Sequence, residues 1–119
     1  MKKRNIFIII AVFSLMLWGC RYDFILPEEV PVIENVSFAA DVAPILTKQC
    51  AECHKPGGTS PDLTAANAFA QLSGYINKTT PAQSEILTVP GSSSHSWKKF
   101  TATESATILK WITDGAKNN

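Results

Sequence analysis

Four side chains in this sequence combine type and spacing in a way that suits chemistry: Cys50, Cys53 and His54 in the run Cys50-Ala51-Glu52-Cys53-His54, and His95 further along. The run has the C-x-x-C-H spacing of covalent haem attachment. Two thiols one helical turn apart can bond the two vinyl groups on one edge of a porphyrin, while the adjacent histidine turns beneath the ring and binds iron. Other chemistries use parts of the same set. A C-x-x-C pair can form a disulfide or a thioredoxin-like redox site, which needs a strand leading into a helix. Zinc could take Cys50, Cys53 and His95, although one C-x-x-C without a second paired module is thin support. Asp62, Glu85 and the other carboxylates form no acid–base pair visible in the sequence, and no nucleotide-binding glycine loop is present.

These residues need elements to hold them. Asp41 reads as the N-cap of a first helix, with Pro44 admissible because a missing N–H does no harm within the first turn. The helix is expected to run towards His54. It carries Val42, Ile45, Leu46, Cys50 and Cys53 at helical spacing, which would place both thiols on its inward face. After a Lys55-Pro56-Gly57-Gly58 turn, a second helix is expected over about Thr64 to Ser73, with Ala65, Ala68, Phe69 and Leu72 on one face and Gly74 as its stop. Thr80-Pro81-Ala82-Gln83 has capping-box spacing with proline at the first helical position, predicting a short helical turn through Leu87; Pro90 to Ser96 reads as loop. The last helix has the strongest local signals. Thr101 and Glu104 form a capping box, Ser105, Ile108, Trp111 and Ile112 recur at helical spacing, and Gly115 ends the pattern. With no strand pattern or internal repeat, the expected fold class is all-α.

A length of 119 residues excludes a large multidomain enzyme. The first 19 residues have the form of an export signal: Lys2, Lys3 and Arg4, then 13 residues from Ile6 to Trp18 with Ser14 as the only polar member. Thirteen helical residues cover about 20 Å against a hydrocarbon core of ~30 Å, so cleavage is expected in place of a permanent span. Leu17-Trp18-Gly19-Cys20 resembles a bacterial lipobox, with Trp18 where a small residue is usual; the resemblance implies a lipid on Cys20. Arg21 to Val36, with Pro27, Pro31 and three glutamates, reads as a tether. The chain therefore divides into a signal peptide (1–19), a lipid-anchored tether (20–36) and one domain (37–119). Taking Lys2, Lys3 and Arg4 from 11 basic residues leaves 8 against 10 acidic ones, a mature charge of −2. With 45% hydrophobic residues and no basic patch, the chain should fold and nucleic acid is not an expected partner.

From about Phe38 to Lys117 the sequence resembles the single-haem c-type cytochrome domains of planctomycete-type and related bacterial lipoproteins. The matching pieces are Asp41-Val42-Ala43-Pro44-Ile45-Leu46 before the C-x-x-C-H run, Ser60-Pro61-Asp62-Leu63 after it, and Trp111-Ile112-x-x-Gly115-Ala116 near the end. The resemblance implies a cytochrome c-like fold around one covalent haem c, with the first and last helices crossing beside it and Trp111 in their contact. It also implies that the Pro61 carbonyl accepts a hydrogen bond from the second ring nitrogen of His54, setting its tautomer, and that Leu63 packs on the ring.

Met1 and Met16 both lie in the export segment, which leaves the mature chain no methionine for the far side of the iron. His95, in Pro90-Gly91-Ser92-Ser93-Ser94-His95, is the expected distal ligand, with an open or water-bound position as the alternative. Lys98 and Lys99 read as surface charges near the haem edge and Trp97 as a packing residue. A six-coordinate iron blocks substrate, so the expected function is that of a carrier with no turnover of its own. It would pass single electrons between redox partner proteins of the cell envelope, on the periplasmic or cell-surface side of a membrane, the outer membrane being the expected one. Two alternatives stay open: a haem-based sensor whose His95 loop admits a small ligand, and a haem-free thiol protein working through Cys50 and Cys53. Because a haem would add core that ~80 residues otherwise lack, the haem-free chain is expected to be loose or unfolded.

Overall fold

Ser37 begins the first helical segment of a computed structural model that describes residues 34–119. The export segment, Cys20 and most of the tether lie outside the described residues. The Ser37 hydroxyl accepts the Ala40 N–H at 3.2 Å, and the Asp41 carboxylate accepts the Ser37 N–H at 2.7 Å. The cap is thus Ser37, and Asp41, expected as the N-cap, closes the turn from inside. Residues Phe38–Val42 form a wide π-type turn that leads into α1, Ala43–Gln49. The wider turn carries the helical path past Pro44, whose ring would press on the carbonyl four residues back in a regular helix.

Helix α1 stops at Gln49, short of the expected run to His54. The N–H groups of Cys50 and Ala51 share the Leu46 carbonyl, and the backbone leaves helical geometry at Cys50, φ −121°. Beyond it the carbonyls of Cys53 and His54 accept the N–H groups of Thr59 and Leu63, and carbonyls committed to the returning chain cannot carry a helix past His54. Helix α2 is likewise shorter than expected, Ala68–Leu72 followed by a tight turn at Ser73–Tyr75. Asp62 accounts for its late start: one oxygen accepts the Thr64 N–H and hydroxyl at 3.0 and 2.7 Å, and the other accepts the Asn67 amide at 2.6 Å. Such side-chain bonds offer the backbone an alternative to helix. Ala65 is exposed, whereas Ala68 and Leu72 are buried.

The expected turn through Leu87 is split into Pro81–Gln83 and α3, Glu85–Thr88, by Ser84, whose backbone is extended and whose buried hydroxyl accepts the Asn77 N–H. Thr80 makes no cap bond, because the Asn77 side chain takes the N–H groups of Thr79 and Thr80. The loop before the last helix contains one short turn, Ser93–His95.

Helix α4, Ala102–Thr113, starts with the expected capping box. The Thr101 hydroxyl accepts the Glu104 N–H at 3.1 Å, and the Glu104 carboxylate accepts the Thr101 N–H at 2.9 Å. Gly115, at φ +101°, supplies the left-handed residue that stops it.

The first helical segment, residues 38–49, meets α4 in reversed chain order. At one end the Phe38 ring lies 5.2 Å from Trp111 and 5.1 Å from Phe69. At the other, the Gln49 amide donates to both oxygens of Glu104 at 3.0 and 3.2 Å. Between them Val42, Leu46, Ile108 and Ile112 are buried, and the Trp111 indole N–H donates to the Lys117 carbonyl. The C-terminal end closes the Phe38 end, with Asn119 accepting from the N–H groups of Phe38 and Ala39 and from the Ser37 hydroxyl. Among the described residues there are no strands, and the elements pack as one small all-α globule.

Thr101→Ala should cost about 1 kcal/mol, read as a lower unfolding midpoint, because it frees an N–H at the start of α4. Acid should act on the same corner. Burial pushes the Glu104 pKa up, but hydrogen bonds from Gln49 and Thr101 and the charge of Lys48 outweigh it, leaving the carboxyl below its usual range. A carboxyl lowered on folding contributes stability that is full above its unfolded pKa and lost as pH falls through the folded one. Thermal unfolding followed from about pH 6 to about pH 3 should decline in the native chain and decline less in Glu104→Gln.

Candidate functional site

Beyond α1 the chain winds one further turn, because the N–H groups of Cys53 and His54 both bond the Cys50 carbonyl, at 3.2 and 3.0 Å. This turn places Cys50, Cys53 and His54 on the wall of one cleft. Cys50 is half-buried against the core, but Cys53 is exposed, so the two thiols do not share an inward face as the helical spacing predicts. The reason is the end of α1: once the backbone leaves helical geometry at Cys50, Cys53 is carried outward. Gly58 seals this turn from behind, since a side chain there would start 2.4 Å from the Cys53 carbonyl oxygen.

The His54 ring is fixed by its backbone neighbours. Its Nδ1 lies 3.1 Å from the Pro61 carbonyl, and its own carbonyl accepts the Leu63 N–H at 2.9 Å. A carbonyl only accepts, so Nδ1 carries a proton, and in the neutral ring the lone pair is on Nε2. Pro61 and Leu63 are both buried and line the cleft.

Across the cleft, His95 projects from residues 90–100. Its ring centroid lies 6.0 Å from that of His54, with 20° between the planes. The His95 Nδ1 is 3.1 Å from the Ser94 hydroxyl, which is 3.0 Å from the hydroxyl of Ser92. Leu72, Tyr75, Ile86, Val89 and Phe100 complete a mainly apolar lining around about 270 Å³. Leu72 is expected only as part of the apolar face of its helix, and the other four do not stand out in the sequence, because they come from α3 and the loops on a face that packing alone defines. Trp97, expected to pack, is 71% exposed and stacks only on the His95 ring, at 5.9 Å and 22°. Lys98 and Lys99 line the cleft mouth, and Lys98 pairs with Glu52 at 3.6 Å.

The thiols and imidazoles do not gather as a small-metal site: among the described residues no group of three or more His, Cys, Asp or Glu side chains is placed to hold a metal ion. The Cys50, Cys53 and His95 set considered for zinc is therefore not assembled. Burial pushes the Cys50 thiol up to about 11, with Lys98 pulling it down and Glu104 adding to the rise. A thiol so raised is almost wholly protonated near neutrality, which opposes thiolate redox chemistry.

No helix among the described residues is long and apolar enough to cross a membrane. Comparison with protein families, with curated proteins and with solved structures gives no match.

Proposed function

We propose that this chain is a membrane-anchored, monohaem c-type cytochrome with a cytochrome c-like fold, carrying single electrons outside the cytoplasm with two histidine ligands. The observation that carries the reading is the pair of imidazoles, centroids 6.0 Å apart, across a cleft that Cys50 and Cys53 also line. Two imidazoles on one metal have centroids roughly 6 Å apart, from bonds of about 2 Å plus about 1 Å between nitrogen and ring centre on each side. The residues present fit a porphyrin iron in chemistry as well: two free thiols, an Nε2 lone pair on His54, and apolar walls.

When bound, the haem supplies a one-electron iron couple, and two nitrogen ligands without a thioether set a lower potential than a His/Met pair. The chain's own residues define the rest. Cys50 and Cys53 would attach the group, and the Pro61 carbonyl would hold the His54 tautomer and strengthen it as a donor. Leu63, Leu72 and Ile86 would give it apolar contact. His95 would be the second ligand and would so deny the iron to a substrate, the arrangement of a carrier without turnover of its own. A lipid on Cys20 would keep the carrier beside redox partners of the cell envelope.

The test is the full-length chain matured in a host with a haem-attachment system, followed by a pyridine haemochrome assay. One covalently held haem c per chain and a low-spin spectrum are expected. A mature polypeptide that emerges colourless overturns the proposal.

A further inference from the structure

The two histidines are held very differently. His54 is fixed through Pro61, Leu63 and Cys50. The hydrogen bonds of the His95 loop instead close on the loop itself. The Gly91 and Lys98 N–H groups bond the His95 carbonyl, the His95 N–H bonds the Ser92 carbonyl, and the His95 ring bonds the adjacent Ser94. Among the described residues, residues 92–98 have two polar ties beyond the loop: the Ser92 N–H to the Val89 carbonyl just before it, and the ion pair of Lys98 with Glu52 across the cleft. Glu52 sits between the two cysteines, and Lys98 shares a hydrogen-bonded turn with His95 at 3.0 Å. The pair therefore links the strip that carries the proximal ligand to the loop that carries the distal one. The Lys98 side chain is only 32% exposed and lines the cleft, whereas Glu52 is 77% exposed.

The geometry points to Glu52 and Lys98 as positioning residues: their ion pair holds the His95 loop closed over the site and sets how readily His95 gives up its place to a small neutral ligand. This rests on the haem reading. A partly exposed pair is worth little in energy and is weakened by salt. The closure it provides should accordingly be modest and dependent on ionic strength.

The experiment uses the full-length holoprotein, with the rate of carbon monoxide binding to the reduced form measured from low to high salt. Carbon monoxide is uncharged, so salt cannot act by steering the ligand. In the native protein the rate should rise with salt. Glu52→Gln should raise the low-salt rate about two- to fivefold and flatten the salt dependence, a change of the size an exposed ion pair can supply. Glu52→Lys should go further in the same direction, and adding Lys98→Glu to it should bring the rate back. Recovery on charge reversal is a response that a merely structural role for Glu52 would not give. Equal rates and equal salt dependence in the native protein and Glu52→Gln, or no binding in either, overturn this inference and leave the haem reading standing. Colourless protein from every variant overturns both.

Discussion

His95→Ala should convert the low-spin visible spectrum of the holoprotein to a high-spin one, with the haem still covalently attached. The His54 side of the site does not depend on His95: its ring is held by the Pro61 carbonyl and its backbone by Cys50 and Leu63. On the haem reading, removing the opposite imidazole would therefore leave His54 as one strong ligand and free the other position. Carbon monoxide should then bind the reduced protein without waiting for a protein ligand to leave. A spectrum that stays low-spin would mean that another side chain holds the sixth position, and the lysines lining the cleft mouth, Lys98 and Lys99, would be the next to replace. His95→Met offers the converse measurement. Methionine ligation raises the potential of a haem iron, so a redox titration of that variant should move upward from the native value.

Replacing both cysteines, Cys50→Ala with Cys53→Ala, should abolish covalent attachment. After denaturing electrophoresis the haem stain should disappear from the polypeptide band, while each single replacement keeps one bond and a reduced signal. The singles need not be equal. Cys50 is half-buried at the end of α1 and Cys53 is exposed one turn later, so the bond from Cys50 is the one the fold itself positions. Covalent stain that persists in the double variant would remove the thiols from the assignment.

Much of the site can be seen in the sequence because its signals are local. C-x-x-C-H is a spacing within one turn, and the absence of methionine beyond residue 16 is a matter of counting. The start of α4 is equally local, since Thr101 and Glu104 satisfy each other's backbone within four residues. What the sequence hides depends on partners far along the chain. The chain just past α1 is held by the N–H groups of Thr59 and Leu63 on the Cys53 and His54 carbonyls, which no periodicity within α1 can announce. Asp41 has the chemistry of an N-cap but serves the turn from inside, because Ser37 already occupies the capping position. The split between Pro81–Gln83 and α3 follows from Ser84, whose hydroxyl is drawn inward to the Asn77 N–H. The place of Trp97 is a tertiary outcome too. Trp97 reads as a packing residue, yet it is 71% exposed and stacks on the His95 ring.

The reversed contacts of residues 38–49 along α4 also set the two ends of the domain apart. The Phe38, Trp111 and Asn119 closure lies at the start of the first helical segment, whereas the cleft opens past Cys50, about a dozen residues and roughly 18 Å of helical rise further on. On the anchored-carrier reading, a tether leading into Ser37 would leave the sealed aromatic end nearer the membrane. The rim that carries Trp97 and Lys99 would then be the side open to a passing protein.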